Sequence, residues 1–285
     1  MTTPTSDAPG LPLLKWVGGK KKMLSAIVPH YSGQPTVVEP FFGGGALSFH
    51  LAAPNPALHV VANDQLGAVI EIYRAIRDDV EAFITGVEGY AAPYLGAGDK
   101  AARRAYYYDV RQRYMEQRVD GPEVLFFLLW TAYSGMFRTG KEFPGRFNTS
   151  HGFGIERAGF YHPDRLRATA PLMAGWDFTS GDFYDTLGAV TEDSFVFLDP
   201  PYRGTYDGYT DAGFTEDDQL RVAEFFAACD RVGAKVVYTN KDLGDDFYAT
   251  NFAGYAIARV PIKYMVNRNA PSVGRPTTYE VVISN

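Results

Sequence analysis

Short apolar runs alternate with stretches of helical period along most of the chain. Residues 37–39 form an apolar run ending before Pro-Phe-Phe-Gly-Gly-Gly, and residues 46–53 continue as an apolar stretch of helical length. Residues 58–62 read as a second strand, closed by Asn63 and Asp64. In residues 65–77 the apolar positions are Leu66, Val69, Ile70, Tyr73 and Ile76, the spacing of one helix face. Strand, Gly-rich turn, helix, strand, acid, helix is the opening of a βαβ nucleotide-binding unit. A third strand is predicted at 195–198, running into Asp199, and a fourth at 234–238 behind a helix at 216–232. Residues 255–261 and 279–284 read as a late antiparallel pair. The predicted fold is α/β: a Rossmann-like, mostly parallel sheet with helices on both faces and a terminal antiparallel strand.

The pattern breaks between the second and third of these strands. A polar helix rich in Arg and Tyr (Arg103 to Arg113) is followed by an apolar helix at 123–132, then by an irregular stretch at 133–154 dense in Gly, Phe and basic residues. This reads as a smaller, mainly helical inserted domain with a hairpin. The division that follows is 11–90 with 163–285 for the sheet domain, 91–162 for the insert, and 1–10 as a flexible tail. For Tyr106, Tyr107 and Tyr108, packing against the sheet is the simpler reading and contact with a ligand the other.

Composition narrows the class. Of the 285 residues 46% are hydrophobic and 21% charged, an ordinary globular balance. No apolar run approaches bilayer length, and the first ten residues do not look like a signal peptide, so a cytoplasmic location without membrane contact is expected. The single cysteine, Cys229, excludes an internal disulfide and reads as a core residue; the five histidines show no metal-binding spacing, so no metal is expected. The net charge is −6, but residues 100–168 hold 12 Lys/Arg against 7 Asp/Glu, and residues 257–278 add Arg259, Lys263, Arg268 and Arg275 without an acid. A basic face on an acidic body suits contact with phosphate on one side; solvated surface charge is the alternative.

Candidate chemistry gathers at strand ends. Glu39-Pro-Phe-Phe-Gly-Gly-Gly lies at the carboxyl end of the first strand, where open α/β sheets bind ligands. It is neither GxGxxG nor a phosphate loop. Asp64, at the end of the second strand, is placed to accept from ribose hydroxyls. A Gly-rich turn and a ribose acid without a pyrophosphate loop point to a nucleoside without phosphates, of which S-adenosylmethionine is the common case; a tight turn with a helix-capping Asp is the alternative. Asp199-Pro200-Pro201-Tyr202 follows the third strand. Its prolines fix the backbone and hold the Asp199 carboxylate and the Pro200 carbonyl as two acceptors, a match for the two hydrogens of a planar amino group. Accepting from both favours the pyramidal amine and frees its lone pair for attack on a methyl sulfonium. Tyr202 supplies a face for stacking a base. Trp16 and Lys20, in Lys-Trp-Val-Gly-Gly-Lys, are set to cover a cofactor and to pair with its carboxylate, or else form a solvated basic helix start.

In this order the motifs resemble the Dam-type DNA adenine-N6 methyltransferases of the alpha group, D12 class. LKWVGGK (14–20), VEPFFGGGALSF (38–49), AND (62–64), DPPY (199–202), YTNKD (238–242) and the closing YEVVISN are similar to family motifs over nearly the whole chain. The resemblance implies site-specific methyl transfer from S-adenosylmethionine to N6 of a flipped-out adenine in duplex DNA. It implies Asp199, Pro200 and Tyr202 as catalytic residues. Trp16, Lys20, Glu39, Phe41, Gly43, Asp64, Asp199 and, from a weaker match at GDF, Phe183 are implied as cofactor contacts. The insert becomes a target-recognition domain, with SGMFRTG (134–140) and GRFNTSHG (145–152) as a base-reading hairpin, Arg138 reading a guanine and Lys15 reaching DNA. Ser134, also assigned to DNA, stands where the family often carries Asn. A cognate restriction nuclease is a further implied partner, and a monomer the default. The rival readings are cytosine-N4 methylation, a catalytically inactive DNA-binding module of the same fold, and methylation of RNA or protein.

Overall fold

A computed structural model of the chain describes residues 10–139, 145–152, 162–204, 213–262 and 278–285. Arg268 and Arg275, the tip of the predicted hairpin and residues 1–9 of the predicted tail lie outside these residues.

Seven strands form one sheet in the order β3-β2-β1-β4-β5-β7-β6. They are β1 (Thr36–Glu39), β2 (His59–Asp64), β3 (Asp177–Ser180), β4 (Ser194–Leu198), β5 (Lys235–Lys241), β6 (Ala256–Ile262) and β7 (Thr278–Ser284). The first five pair in parallel, while β7 runs antiparallel to both β5 and β6. The late antiparallel pair is therefore present, and β7 slots between its neighbours as the only reversed strand among those described. Reversal brings the start of β7 to the sheet edge where the parallel strands end, with Glu280 opposite Lys241.

The pleat divides the strands between two cores. Val37, Val60, Phe195 and Val237 face one cluster, and Val38, Val61, Val196 and Val236 face the other. On the first face lie α2 (Ala46–Ala52) and α3 (Gly67–Asp78), after a short α1 (Leu24–Ile27). On the second lies a long helix at Glu216–Val232, with the bounds its pattern predicts. Thr215 and Asp218 close a reciprocal capping box at its start, and Gly233 ends it in the left-handed region.

Between β2 and β3 come α4 (Val80–Gly96), α5 (Lys100–Met115), α6 (Pro122–Thr131) and α7 (Pro163–Thr169). In chain order the helix at Glu216–Val232 is α8 and Phe247–Asn251 is α9. Helix α4 is continuous through residue 90, so no linker marks that position. The insert's Tyr107, Phe126, Phe127 and Phe147 belong to the same buried cluster as Val37 and Val60 of the sheet. The tyrosines of α5 pack as one of the two readings held, but against a helix: Tyr107 is fully buried and the Tyr106 ring lies 6.1 Å from that of Phe127 on α6.

Strand β3 has no counterpart in the sequence pattern. It lies at the sheet edge and buries only Phe178 of its four residues, so no apolar run marks it. Cys229 is buried on α8, and burial pushes its thiol up to about 12, which leaves it unreactive.

Candidate active site

The carboxyl ends of β1, β2 and β4 open into one cavity of about 910 Å3. Trp16, Lys20, Glu39, Phe41, Gly43 and Asp64 line it, together with Phe183, Asp199, Pro200 and Tyr202, and Arg138 stands at its wall. Residues far apart in the chain are thus brought to one space, with Asp64 and Asp199 joined by it.

At the β1 end, Glu39 is 2% exposed and accepts hydrogen bonds from the Ser48 amide at 2.8 Å and from the Ser48 hydroxyl. Burial pushes its carboxyl up to about 7, against the pull of the Ser48 bonds and with a smaller push from Asp199. Asp64 accepts from the Gly43 amide at 2.8 Å and from the Leu66 amide at 2.9 Å, and burial raises its pKa despite these bonds. Gly43 has φ +47° and faces Trp16: a Cβ here would sit 2.6 Å from the indole Nε1. Glycine at this point lets the indole lie directly on the loop backbone. The Phe41 and Phe183 ring centres are 5.0 Å apart, giving the cavity an apolar wall beside Asp64 and Glu39.

These residues fit an adenosyl amino acid. Buried carboxylates suit hydroxyls and cations, the aromatic wall suits a purine, and the volume lies in the range of cofactor pockets.

At the β4 end, the Asp-Pro-Pro-Tyr turn is braced from outside. The Pro201 carbonyl accepts from Gln219 at 2.7 Å and from Asn240 at 3.3 Å. The Arg203 amide donates to Asn240 at 3.0 Å, while its buried guanidinium pairs with Glu216 and Asp245. Among the described residues no donor reaches the Pro200 carbonyl, which is left to the cavity. Asp199 is held through Oδ1 alone: the Lys20 ammonium lies 2.6 Å away and the Thr239 hydroxyl donates at 3.2 Å. Burial raises the Asp199 pKa, and the adjacent Lys20 charge opposes the rise.

Two acceptors on a proline-locked turn thus stand beside a cavity lined by buried carboxylates and aromatic rings. Residues 16–267 match the family described as D12 class N6 adenine-specific DNA methyltransferase. The chain belongs to this family.

Among its relatives is a protein named Type II methyltransferase M.MjaIII, from Methanocaldococcus jannaschii, 30% identical over 96% of this chain and 98% of that protein. The Retron Ec67 DNA adenine methylase of Escherichia coli is 30% identical over 81% of this chain and 77% of its own. A DNA adenine methylase of Vibrio cholerae is 25% identical, covering 80% of each.

For this adenine-specific methyltransferase the structure adds contacts within the chain to two residues expected at ligands. Lys20, expected at a cofactor carboxylate, sets its ammonium against Asp199, donates to the Tyr202 hydroxyl at 2.9 Å and to the Gly18 carbonyl at 3.3 Å, and lies 3.7 Å from Glu280. Lys15, expected at DNA, turns inward: it donates to the Trp130 carbonyl at 3.3 Å and lies 4.5 Å from the centre of the Trp130 ring, with burial lowering its pKa. Arg138 is exposed and stands at the cavity wall. The hairpin arms pair through the Tyr133 amide to Ser150 at 2.9 Å and the Asn148 amide to Arg138 at 2.6 Å, and Phe137 packs on Phe147.

Ser134 is exposed and sits in the left-handed region at φ 56°, ψ 14°. Asn adopts this conformation more readily than Ser, and Gly without steric cost. Ser134→Gly is therefore expected to raise stability by about 1 kcal/mol; a thermal melting midpoint that falls in this variant contradicts the strain.

Glu280, Thr239, Asn240, Gln219 and Ser48 are site residues that the sequence did not single out. The family-like segments YTNKD and YEVVISN carried a signal for the first three and VEPFFGGGALSF for Ser48, while Gln219 had none.

Proposed function

We propose that this protein transfers the methyl group of S-adenosylmethionine to N6 of an adenine flipped out of duplex DNA. The observation that carries the reading is the single cavity joining Asp64 and the glycine loop to Asp199, Pro200 and Tyr202.

Trp16, Glu39, Phe41, Gly43, Asp64 and Phe183 would hold the cofactor, which when bound supplies an electrophilic methyl on a sulfonium. Asp199 presents its unengaged Oδ2, and Pro200 its carbonyl, to the two hydrogens of the adenine amino group. Accepting from both draws the nitrogen toward a pyramidal form whose lone pair can attack. The Tyr202 ring supports the base by stacking. The base has to leave the helix, because N6 in a stacked pair cannot reach the floor of a cavity. The insert, residues 91–162, serves as the recognition domain, with Arg138 and Ser134 at DNA and Arg138 bidentate to a guanine.

The protein is proposed to act as a cytoplasmic monomer without a metal; no described helix is long and apolar enough to cross a membrane. The name of the archaeal relative, a Type II methyltransferase, supports a cognate restriction nuclease as a further partner.

Incubating the protein with duplex DNA and S-adenosylmethionine, then digesting and analysing nucleosides by mass spectrometry, is expected to yield N6-methyladenine; N4-methylcytosine, or methylation of RNA in preference to duplex DNA, overturns the reading. In the same assay with sequenced products, Arg138→Ala is expected to lose about 1–3 kcal/mol of discrimination at one guanine position. Unchanged sequence preference with weakened cofactor binding contradicts that role.

A further inference from the structure

Glu280 is buried, 2% exposed, at the start of β7. Because β7 is the reversed strand, this end of it lies beside the carboxyl ends of β4 and β5, where Asp199 and Thr239 sit. One carboxylate oxygen of Glu280 accepts a hydrogen bond from the Tyr202 hydroxyl at 2.7 Å, and the other lies 3.7 Å from the Lys20 ammonium. Lys20 in turn donates to the same Tyr202 hydroxyl at 2.9 Å, its ammonium lies 4.5 Å from the centre of the Tyr202 ring, and it pairs with Oδ1 of Asp199. Among the described residues these contacts set the Lys20 ammonium between two carboxylates, with the tyrosine at their corner.

We propose that Glu280 is a positioning residue for methyl transfer: it holds the Tyr202 hydroxyl and the Lys20 ammonium, and through Lys20 fixes Asp199 with Oδ2 turned to the substrate amine. The inference rests on the catalytic reading of Asp199 and Tyr202.

Geometry and charge both require such a residue. Lys20 and Thr239 each bind Oδ1, so Oδ2 stays open only while the ammonium is kept to one side of the carboxylate. Glu280 and the Tyr202 hydroxyl supply that restraint from the far side. The charge argument concerns the transition state, in which the attacking nitrogen becomes positive as the methyl group arrives. Lys20 with Asp199 alone presents a neutral pair to that nitrogen; the second carboxylate adds negative charge in a site largely shielded from water, where it acts strongly. The positive charge sits on the sulfonium before reaction and passes to the nitrogen as the methyl group moves, so the part of the attraction that grows with this transfer belongs in kcat.

Glu280→Gln separates the two contributions, since the amide oxygen still accepts from Tyr202 while the charge is gone. Glu280→Ala removes both. Single-turnover methylation, calorimetric titration with S-adenosylmethionine and a DNA-binding isotherm are measured for each, with Asp199→Ala as the reference. The expected result is a loss of about tenfold in transfer rate for Glu280→Gln and about 100-fold for Glu280→Ala, with cofactor and DNA affinities within about twofold of the parent.

The pH profile gives a readout that a purely structural role leaves in place. Among the described residues the ionisable groups around Asp199 are Lys20 from the N-terminal segment, Glu39 on β1, Tyr202 on its own turn and Glu280 on β7; burial pushes Asp199 up, Lys20 pulls it down, and Glu280 adds a smaller push upward. Removing the Glu280 charge is therefore expected to move the acid limb of the rate profile to lower pH. Parent-like rates and an unmoved limb in Glu280→Gln, with Asp199→Ala inactive, overturn the proposal. So does a cofactor affinity that falls in step with the rate, which places Glu280 in the cofactor site. Parent-like rates in Asp199→Ala overturn instead the catalytic reading on which the proposal stands.

Discussion

Replacing Asp199 by Ala is expected to lower methyl transfer to adenine about 1,000-fold while changing cofactor affinity less than about tenfold. The carboxylate faces the cavity through an oxygen that no described group engages, so its loss removes an interaction made chiefly with the reacting amine. The fold is expected to survive. Lys20, deprived of its 2.6 Å partner, keeps Glu280 at 3.7 Å and the Tyr202 hydroxyl at 2.9 Å, so its buried charge is not orphaned. Transfer of a tritiated methyl group in single-turnover conditions measures the effect directly, and a rate within tenfold of the parent removes Asp199 from the chemistry.

Replacing Glu39 by Gln is expected to weaken S-adenosylmethionine binding about 100-fold at pH 8, the usual cost of deleting one side of a buried charge contact, and at the same time to stabilise the free protein. The second effect follows from the raised carboxyl. An ordinary Glu releases its proton near 4.5, whereas folded Glu39 holds it to about 7. Between those values the folded chain binds more protons than the unfolded one, so stability contributed by this group falls as pH rises. The loss is complete above about pH 7 and amounts to about 3 kcal/mol. Gln carries no such loss, so its advantage in melting temperature is expected at pH 8 and absent at pH 4.5. A cationic cofactor favours the ionised carboxylate, so in the parent protein affinity is expected to climb from pH 6 through 7 and then level off. Calorimetric titration across that range is the check; pH-independent affinity, or a Gln variant that binds like the parent, removes Glu39 from the cofactor site.

The parts of this molecule that were legible in the sequence are those whose signal is local. Helix α8 has an acid-rich start, a capping box and a terminal glycine within its own bounds, and its predicted ends coincide with the observed ones. Strands β1, β2, β4 and β5 are buried on both faces and read as plain apolar runs. Strand β3 shows one buried side chain, and α4 carries Gly86, Gly89 and Pro93 within a sequence that lacks a clear apolar stripe, so neither stood out. At the site, Asp64 and Asp199 announced themselves as acids at strand ends. Glu280 did not, because it meets Tyr202 across 78 residues, and the predicted antiparallel pair did not say that β7 would lie beside β5. Lys20 was found, but its pairing with Asp199 was not, for the same reason: the two are far apart in the chain.

The buried cluster common to the sheet and the insert sets a limit on how new specificities can arise. Exchanging residues 91–162 as a cassette cuts through α4 and takes α6 away from α3, so such chimeras should lose stability rather than read a different site. The hairpin arms are anchored by Phe137 and Phe147, but Ser134 and Arg138 point to solvent and can vary without disturbing that anchor. On the proposed reading of Arg138 and Ser134, retargeting this scaffold is a matter of rewriting a few side chains on a fixed support, one position at a time.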